Sequence, residues 1–365
     1  VGIGLSSDEK YYFIATSDHN TSEQHFFSVD ENNPKPKLIK ERKKGIIYSV
    51  NSWNNYFYNH TNENAEDFKI DRCKDLNNQD WKTYIPAKDE VLIGGLVFLN
   101  DWEIRSEISN ALGKIFIKNI NTNKEEEIEF TDEKVIVPGV SLLQKDKNTD
   151  LVRLSYSSPK TQSRVYLYNL KTKEKKLIKE QEIPSGHNPE DYIVERIDCP
   201  SYDGRLVPVT ITRHKKTKIN GSANLLLYGY GSYGSSMSPS FSSTNLSLIN
   251  RDIIWVTAHI RGGMERGMKW WKEGKLLNKK NTFEDYIAVA KYLIEKKYTS
   301  KGKIIGLGGS AGGLLMGAVV NKAPELFLGI IMAVPFVDSL TTNLDHSLPL
   351  TLGEFDEFGN AKANK

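Results

Sequence analysis

A partial β-propeller followed by a partial α/β domain is the architecture this sequence predicts, and three observations carry the prediction. Among β-rich runs in residues 1–190, an aromatic-x-x-Asp/Asn signature recurs with its last positions 41, 48 and 50 residues apart. After Pro189 the hydrophobic period changes, and strand-like and helix-like segments alternate. Within that second half the glycine-rich turn Gly308-Gly309-Ser310-Ala311-Gly312-Gly313 falls between a predicted strand and a predicted helix.

A length of 365 residues suits two domains, or three. Lys and Arg number 49 against 46 Asp and Glu; a net charge of +3 recruits no polyanion by bulk attraction. Apolar residues at 39% and charged residues at 26% permit a buried core, which excludes global disorder, a collagen-like chain and a coiled-coil fibre. Cys73 and Cys199 match no metal or redox spacing and cannot staple a secreted module. They predict reduced thiols in a cytoplasmic protein without metal or cofactor. Val1-Gly2-Ile3-Gly4 has no basic leader and opens as though cut from something longer, so no signal peptide is expected. The charge-free run Ile304 to Val320 approaches the minimum for a membrane span, but its six glycines fit a strand–turn–helix better, and no membrane partner is expected.

In the first half, Tyr11 to Thr16, Ile46 to Val50 and Leu151 to Tyr156 are rich in the residues strands prefer. Polar clusters such as Asp18-His19-Asn20 and Lys145-Asp146-Lys147-Asn148 separate such runs. The recurring signature occupies Phe27 to Asp30, Phe68 to Asp71, Phe116 to Asn119 and Tyr166 to Asn169. Its period suits about four propeller blades, each closing on a strand that runs into a polar turn. A β-sandwich with evenly spaced hairpins is the competing form. Four blades leave a propeller open, with strand edges uncovered. The basic runs Lys35 to Lys44 and Lys171 to Lys179 are interrupted by Glu41 and Glu174 and are expected as solvated loops, so no nucleic acid is implied.

In the second half, Ile193 to Ile197 and Leu206 to Ile211 read as a strand pair around the Asp203-Gly204 turn. Leu225 to Tyr228 and Ile253 to Val256 are continuous apolar runs suited to a sheet buried on both faces. A helix is predicted from Phe283 to Lys297, with Thr282 and Asp285 as a capping-box-like start. A strand from Lys303 to Leu307, a helix from Ala311 to Lys322 and a strand from Leu328 to Val334 complete a parallel sheet.

The turn at Ser310 satisfies G-x-S-x-G in the strand-to-helix context that motif requires. A serine on so sharp a turn has a strained backbone, and only small residues two positions either side let the turn close. The turn exposes the Ser310 hydroxyl at the sheet's carboxyl edge, and the Ala311 amide points where a tetrahedral oxyanion forms.

Tyr228-Gly229-Tyr230-Gly231-Ser232-Tyr233-Gly234, His259-Ile260-Arg261-Gly262-Gly263, Lys279 through Tyr286 and the Ser310 turn stand in the order and spacing of one family. Asn321 to Phe327 and Val334 to Asp338 continue the match. The chain resembles the prolyl oligopeptidase family of serine peptidases, and within it the oligopeptidase B (protease II) branch, which cleaves short peptides after Arg or Lys. The resemblance implies a propeller over residues 1–190 and an α/β-hydrolase domain over 191–365, incomplete at its C-terminal end. It makes Ser310 the nucleophile and places the Tyr230 hydroxyl and Ala311 amide in the oxyanion hole. Gly353-Glu354-Phe355-Asp356-Glu357 matches the segment whose acids receive a basic P1 side chain, so Glu354 and Asp356 are the implied pair. Short basic peptides are the implied substrates. Arg261 is expected to hold strands together and not to touch substrate.

A Ser-His-Asp mechanism on this fold needs an acid and then a histidine after the nucleophile. The family's acid follows a seventh strand and its histidine an eighth, and Lys365 precedes both. His346, preceded by Asp338 and Asp345, is the only histidine after Ser310 and matches a substrate-side segment. The expectation is therefore a peptidase by family that is inactive alone, with a complementary fragment as a candidate partner. A non-catalytic fragment of a split or degraded gene and an esterase on the same fold are the alternatives.

Overall fold

Runs of β-branched and aromatic residues build the first half as strands. In the computed structural model, which describes residues 1–143 and 146–363, they form four four-stranded sheets over residues 2–38, 48–85, 91–127 and 137–180. Each strand lies beside its neighbour in sequence, and the pairings in the first two sheets are antiparallel. The first strands begin at Gly2, Tyr48, Val91 and Val137, spacings of 46, 43 and 46 residues.

Two details differ from the sequence reading. The signature marks the third strand of a sheet, not the last: it ends that strand at Asn119 and Asn169, and just after it at Asp30. In the second sheet Phe68 to Asp71 instead enters the third strand, with Phe68 in a left-handed conformation. The signature precedes the fourth strand, which starts 7, 11, 6 and 6 residues after its last position in the four sheets. Lys175–Glu180, expected as loop, is itself a fourth strand with every residue exposed. Its lysines keep an open sheet edge in water, which suppresses edge-to-edge association. Lys145 of the predicted turn cluster lies outside the described residues.

Aromatic and β-branched side chains from neighbouring sheets interleave. Phe13, Phe26, Val50 and Phe57 form one buried cluster, and Trp53, Ile70, Ile93 and Phe98 another, with the Trp53 and Phe98 rings stacked at 5.7 Å. Cys73 belongs to the first cluster and Cys199 to the core of the α/β domain; both are free. Burial pushes their thiols up to about 11 and about 12. A raised thiol pKa holds the unreactive protonated form, leaving roughly a thousandth or less as thiolate at pH 8. We expect neither thiol to react with a disulfide reagent within minutes in the native protein, and both to react in denaturant. One native fast-reacting thiol would contradict their burial.

By contacts the chain forms two compact units. One comprises residues 1–108, 114–128 and 142–151; the other comprises 109–113, 129–141 and 152–365 and contains the α/β domain. That domain holds one six-stranded sheet: β1 (Tyr192–Pro200), β2 (Leu206–His214), β3 (Leu225–Tyr228), β4 (Ile254–Ala258), β5 (Ile304–Gly309) and β6 (Phe327–Ala333). Their spatial order is β1-β2-β4-β3-β5-β6. β1, β2 and β4 pair antiparallel, whereas β4, β3, β5 and β6 run parallel. The predicted strand pair and both buried runs are present. Leu225, Leu227, Ile254 and Val256 are fully buried, as expected for central strands covered on both faces.

Helices α1 (Ser243–Ile249), α2 (Gly267–Lys272), α3 (Lys280–Glu295) and α4 (Ala311–Lys322) join these strands, and α5 (Ser339–Leu344) and α6 (Thr351–Phe358) follow β6. α3 turns Tyr286, Val289, Ala290 and Leu293 into the core, the stripe its sequence period predicts. Its start is not a capping box. The helix begins at Lys280, and Thr282 hydroxyl donates to the Arg261 and Gly274 carbonyls while Asp285 binds Arg261. Tertiary partners in the core outcompete the local cap. The charge-free run from Ile304 divides into β5 and α4, and no described helix is long and apolar enough to cross a membrane.

β6 lies at the edge of the sheet. Leu328, Ile331 and Met332 on it are 60%, 48% and 43% exposed, whereas the central strands bury equivalent residues completely.

Candidate active site

The junction of β5 and α4 holds Ser310 at φ 54° and ψ −120°, a conformation that L side chains avoid. Three backbone bonds impose it. Ser310 N–H donates to the Ala333 carbonyl at 2.9 Å, and the Ser310 carbonyl accepts from Gly313 N–H at 2.8 Å and Phe336 N–H at 2.9 Å. Glycine is required where the turn closes. A Cβ on Gly308 would stand 2.2 Å from the Gly312 carbonyl oxygen, and one on Gly313 would stand 2.4 Å from Pro335 Cβ. The obstacle at Gly308 is backbone, so it cannot swing aside. We expect Gly308→Ala to cost about 1–3 kcal/mol or more, read as a lowered midpoint in thermal unfolding. An unchanged midpoint would show that the turn closes without that contact.

Ser310 is exposed, while Ala311, which opens the helix behind it, is buried. As the first helical residue, Ala311 has an N–H with no acceptor inside the helix, at the positive end of the helix dipole.

Tyr230 follows β3 in a loop that turns on positive φ at Gly231, Tyr233 and Gly234. A Cβ on Gly231 would lie 2.9 Å from the Arg261 carbonyl oxygen and 2.4 Å from Thr282 Cγ2, so only glycine lets the loop sit this close. The loop lies against the start of α4: a Cβ on Gly312 would meet Gly229 O at 3.0 Å and Tyr230 Cδ2 at 3.3 Å. The Ser310 side chain stands beside the Tyr230 phenol and favours its ionised form, as a neighbouring hydroxyl donor does. Burial raises the Tyr230 pKa, Ser310 opposes the shift, and the negative charges of Glu357 and Glu354 add to it. At neutral pH the group is therefore a phenol, able to donate.

α6 brings Glu354 to this loop, where its Oε2 accepts from the Tyr233 hydroxyl at 2.6 Å. The Tyr233 ring lies 6.4 Å from that of Tyr230. Burial and the Glu354 bond push the Tyr233 phenol far above its ordinary pKa. Asp356 is on the same helix but two positions on, a rotation of about 200°, so it does not share the face of Glu354. Glu357 does share it. Only 1% exposed, Glu357 accepts from Lys279 Nζ at 3.0 Å and Trp271 Nε1 at 2.9 Å. The structure thus sets Tyr230 beside Ser310 and the start of α4, with Glu354 on Tyr233 of the same loop, and puts Asp356 on another face of α6. The sequence reading missed Lys279, Glu357 and Tyr233; a helical period across Thr351–Phe358 would have paired Glu354 with Glu357.

Arg261 links a helix and a turn. It is 2% exposed and binds Asp285 through Nε at 2.8 Å and Nη2 at 2.6 Å, and Asp203 through Nη1 at 2.6 Å. This ties the end of β4 to α3 and to the β1–β2 turn. His346 is exposed and packs edge-on against Phe355, with ring centroids 5.3 Å apart. His259, in the domain core, is fully buried and shares its Nε2 with the Thr210 hydroxyl at 2.9 Å.

The family models described as "Prolyl oligopeptidase, N-terminal beta-propeller domain" and "Prolyl oligopeptidase family" match residues 1–181 and 239–365. The chain belongs to the prolyl oligopeptidase family. Its fold is accordingly a β-propeller segment followed by the catalytic domain of a family of serine peptidases. Dipeptidyl aminopeptidase BI of Pseudoxanthomonas mexicana is 38% identical over 99% of this chain and 50% of its own length. Protease 2 of Moraxella lacunata is 37% identical over 99% of this chain and 52% of its own. Oligopeptidase B from Trypanosoma brucei, solved in closed form with covalently bound antipain, superposes with a TM-score of 0.91 at 32% identity. That match covers 98% of this chain and 52% of the solved one. This member of the prolyl oligopeptidase family thus spans about half the length of the curated relatives it matches.

Proposed function

We propose that this chain is the nucleophile-bearing part of a serine oligopeptidase that hydrolyses short peptides after Arg or Lys. The observation that carries the reading is Ser310, exposed on a left-handed backbone at the β5–α4 junction with the Tyr230 phenol beside its side chain. Ser310 attacks the scissile carbonyl. The charge that develops on the carbonyl oxygen meets two donors already in place, the Tyr230 hydroxyl and the Ala311 N–H. Glu354 receives the P1 cation, a guanidinium sharing the carboxylate that accepts from Tyr233; Asp356, on another face of α6, adds negative charge and no direct contact with that cation. An esterase on the same fold has no use for Glu354.

The proton of Ser310 needs a base. His346 packs against Phe355 and not against Ser310, so we assign the triad histidine and its acid to chain outside these residues or to a complementary fragment. The uncovered apolar face of β6 supports this, as a place where further strands add. Without them the 365 residues turn over slowly. We place the domain boundary at 190/191, supported by the sheets, none of which joins strands from both sides. Two free thiols support a cytoplasmic site.

The experiment supplies the rest of the catalytic domain from the Moraxella relative and compares peptide anilides ending in Arg, Lys and Phe. Arg and Lys should be cleaved far faster. Equal cleavage of Phe, or hydrolysis of esters alone, would refute the reading.

A further inference from the structure

Lys279 stands between the two halves of the site. Lys279 is 9% exposed, and its ammonium donates to the Gly231 carbonyl at 2.6 Å, the Ser232 hydroxyl at 2.5 Å and Glu357 Oε1 at 3.0 Å. Gly231 and Ser232 directly follow Tyr230, and Glu357 is one helical turn from Glu354. The ammonium's three tetrahedral N–H groups match these three acceptors, which a planar guanidinium could not do. Burial lowers the Lys279 pKa and the Glu357 charge opposes that shift. Around the pair, Phe358 lies 5.3 Å from the ammonium, 5.9 Å from the Tyr233 ring and 5.5 Å from the Phe336 ring. Phe336 N–H in turn holds the Ser310 carbonyl.

We propose that Lys279 is a positioning residue that couples acid-bearing helix α6 to the loop carrying Tyr230, so that P1 recognition and oxyanion-hole alignment depend on one ammonium. The inference rests on the roles assigned above to Tyr230 and Glu354. Lys279 touches no substrate. It sets where the Gly231 carbonyl lies, and with it the Tyr230 hydroxyl, while fixing the rotation of α6 that aims Glu354. Of the two acids on that face, it neutralises Glu357 and leaves Glu354 for a substrate cation.

The test is a double-mutant cycle in this chain, using Lys279→Met, Glu357→Gln and the two combined; the combination leaves no buried charge unpaired and keeps an acceptor for Trp271. Two readouts are taken: the amide resonances of Gly231, Ser232 and Ala311, and the affinity for benzamidine as a P1 cation. Glu357→Gln should shift the loop resonances when Lys279 is present and leave them unmoved in the Lys279→Met background. The double variant should bind benzamidine about tenfold more weakly or worse, with its thermal midpoint near that of the parent. Equal shifts in both backgrounds, or parental benzamidine affinity in the double variant, would overturn the proposal. If the parent chain does not bind benzamidine, or Glu354→Gln binds it normally, the basic-P1 reading fails instead, and the resonance cycle alone decides the role of Lys279.

Discussion

Fluorophosphonate should modify Ser310 in the purified 365-residue chain at a rate roughly four to six powers of ten below that of a complete triad enzyme. The turn is fully formed, so access and backbone geometry do not limit the reaction. Deprotonation does. A serine hydroxyl is a weak nucleophile until a base takes its proton, and Tyr230, a phenol at neutral pH, is no base. Supplying the remainder of the catalytic domain should restore labelling, and Ser310→Ala should abolish it in either form. Rapid, stoichiometric labelling of the chain alone would defeat the expectation, and would make His346→Ala the next variant to prepare.

In the completed enzyme, Glu354→Ala should cut cleavage after Arg by tens- to thousands-fold and leave cleavage after Phe nearly unchanged. Removing one partner of a desolvated charge pair costs about 2–5 kcal/mol, largely because the other charge is left without an acceptor. Tyr230→Phe should act differently, lowering turnover on every substrate alike, because its contact strengthens only as the oxyanion forms. Asp356→Ala should change Arg selectivity less than Glu354→Ala, since its place on α6 turns it from the face that meets Tyr233. Rates for the three variants against paired Arg and Phe substrates separate these roles. Equal loss on both substrates for Glu354→Ala would remove it from the P1 pocket.

Much of the site was legible because its chemistry is local. Gly308, Ser310 and Gly312 are neighbours in the chain, and the steric demand of one tight turn dictates all three. The central strands β3 and β4 were equally legible, since a strand buried on both faces needs an unbroken apolar run and little else can use one. The recurring signature disclosed four sheets, although it marked the third strand of each and not the last.

What resisted reading depends on partners distant in sequence. Thr282 and Asp285 have the spacing of a cap, yet the carbonyl of Arg261 and its guanidinium claim them, because buried acceptors and charges must be satisfied before an exposed helix end. Glu354, Asp356 and Glu357 are interchangeable acids in the sequence. Folding separates them: the α6 period puts Glu354 and Glu357 on one face, and the ammonium of Lys279, 78 residues away, takes Glu357. The sequence by itself determined that a serine would be held on a strained turn at the end of a parallel strand, because that requirement is met within six consecutive residues. Only the tertiary structure decided which acid meets Tyr233 in the loop that carries Tyr230, because Lys279 and Trp271 take the Glu357 carboxylate and leave that of Glu354 to the Tyr233 hydroxyl.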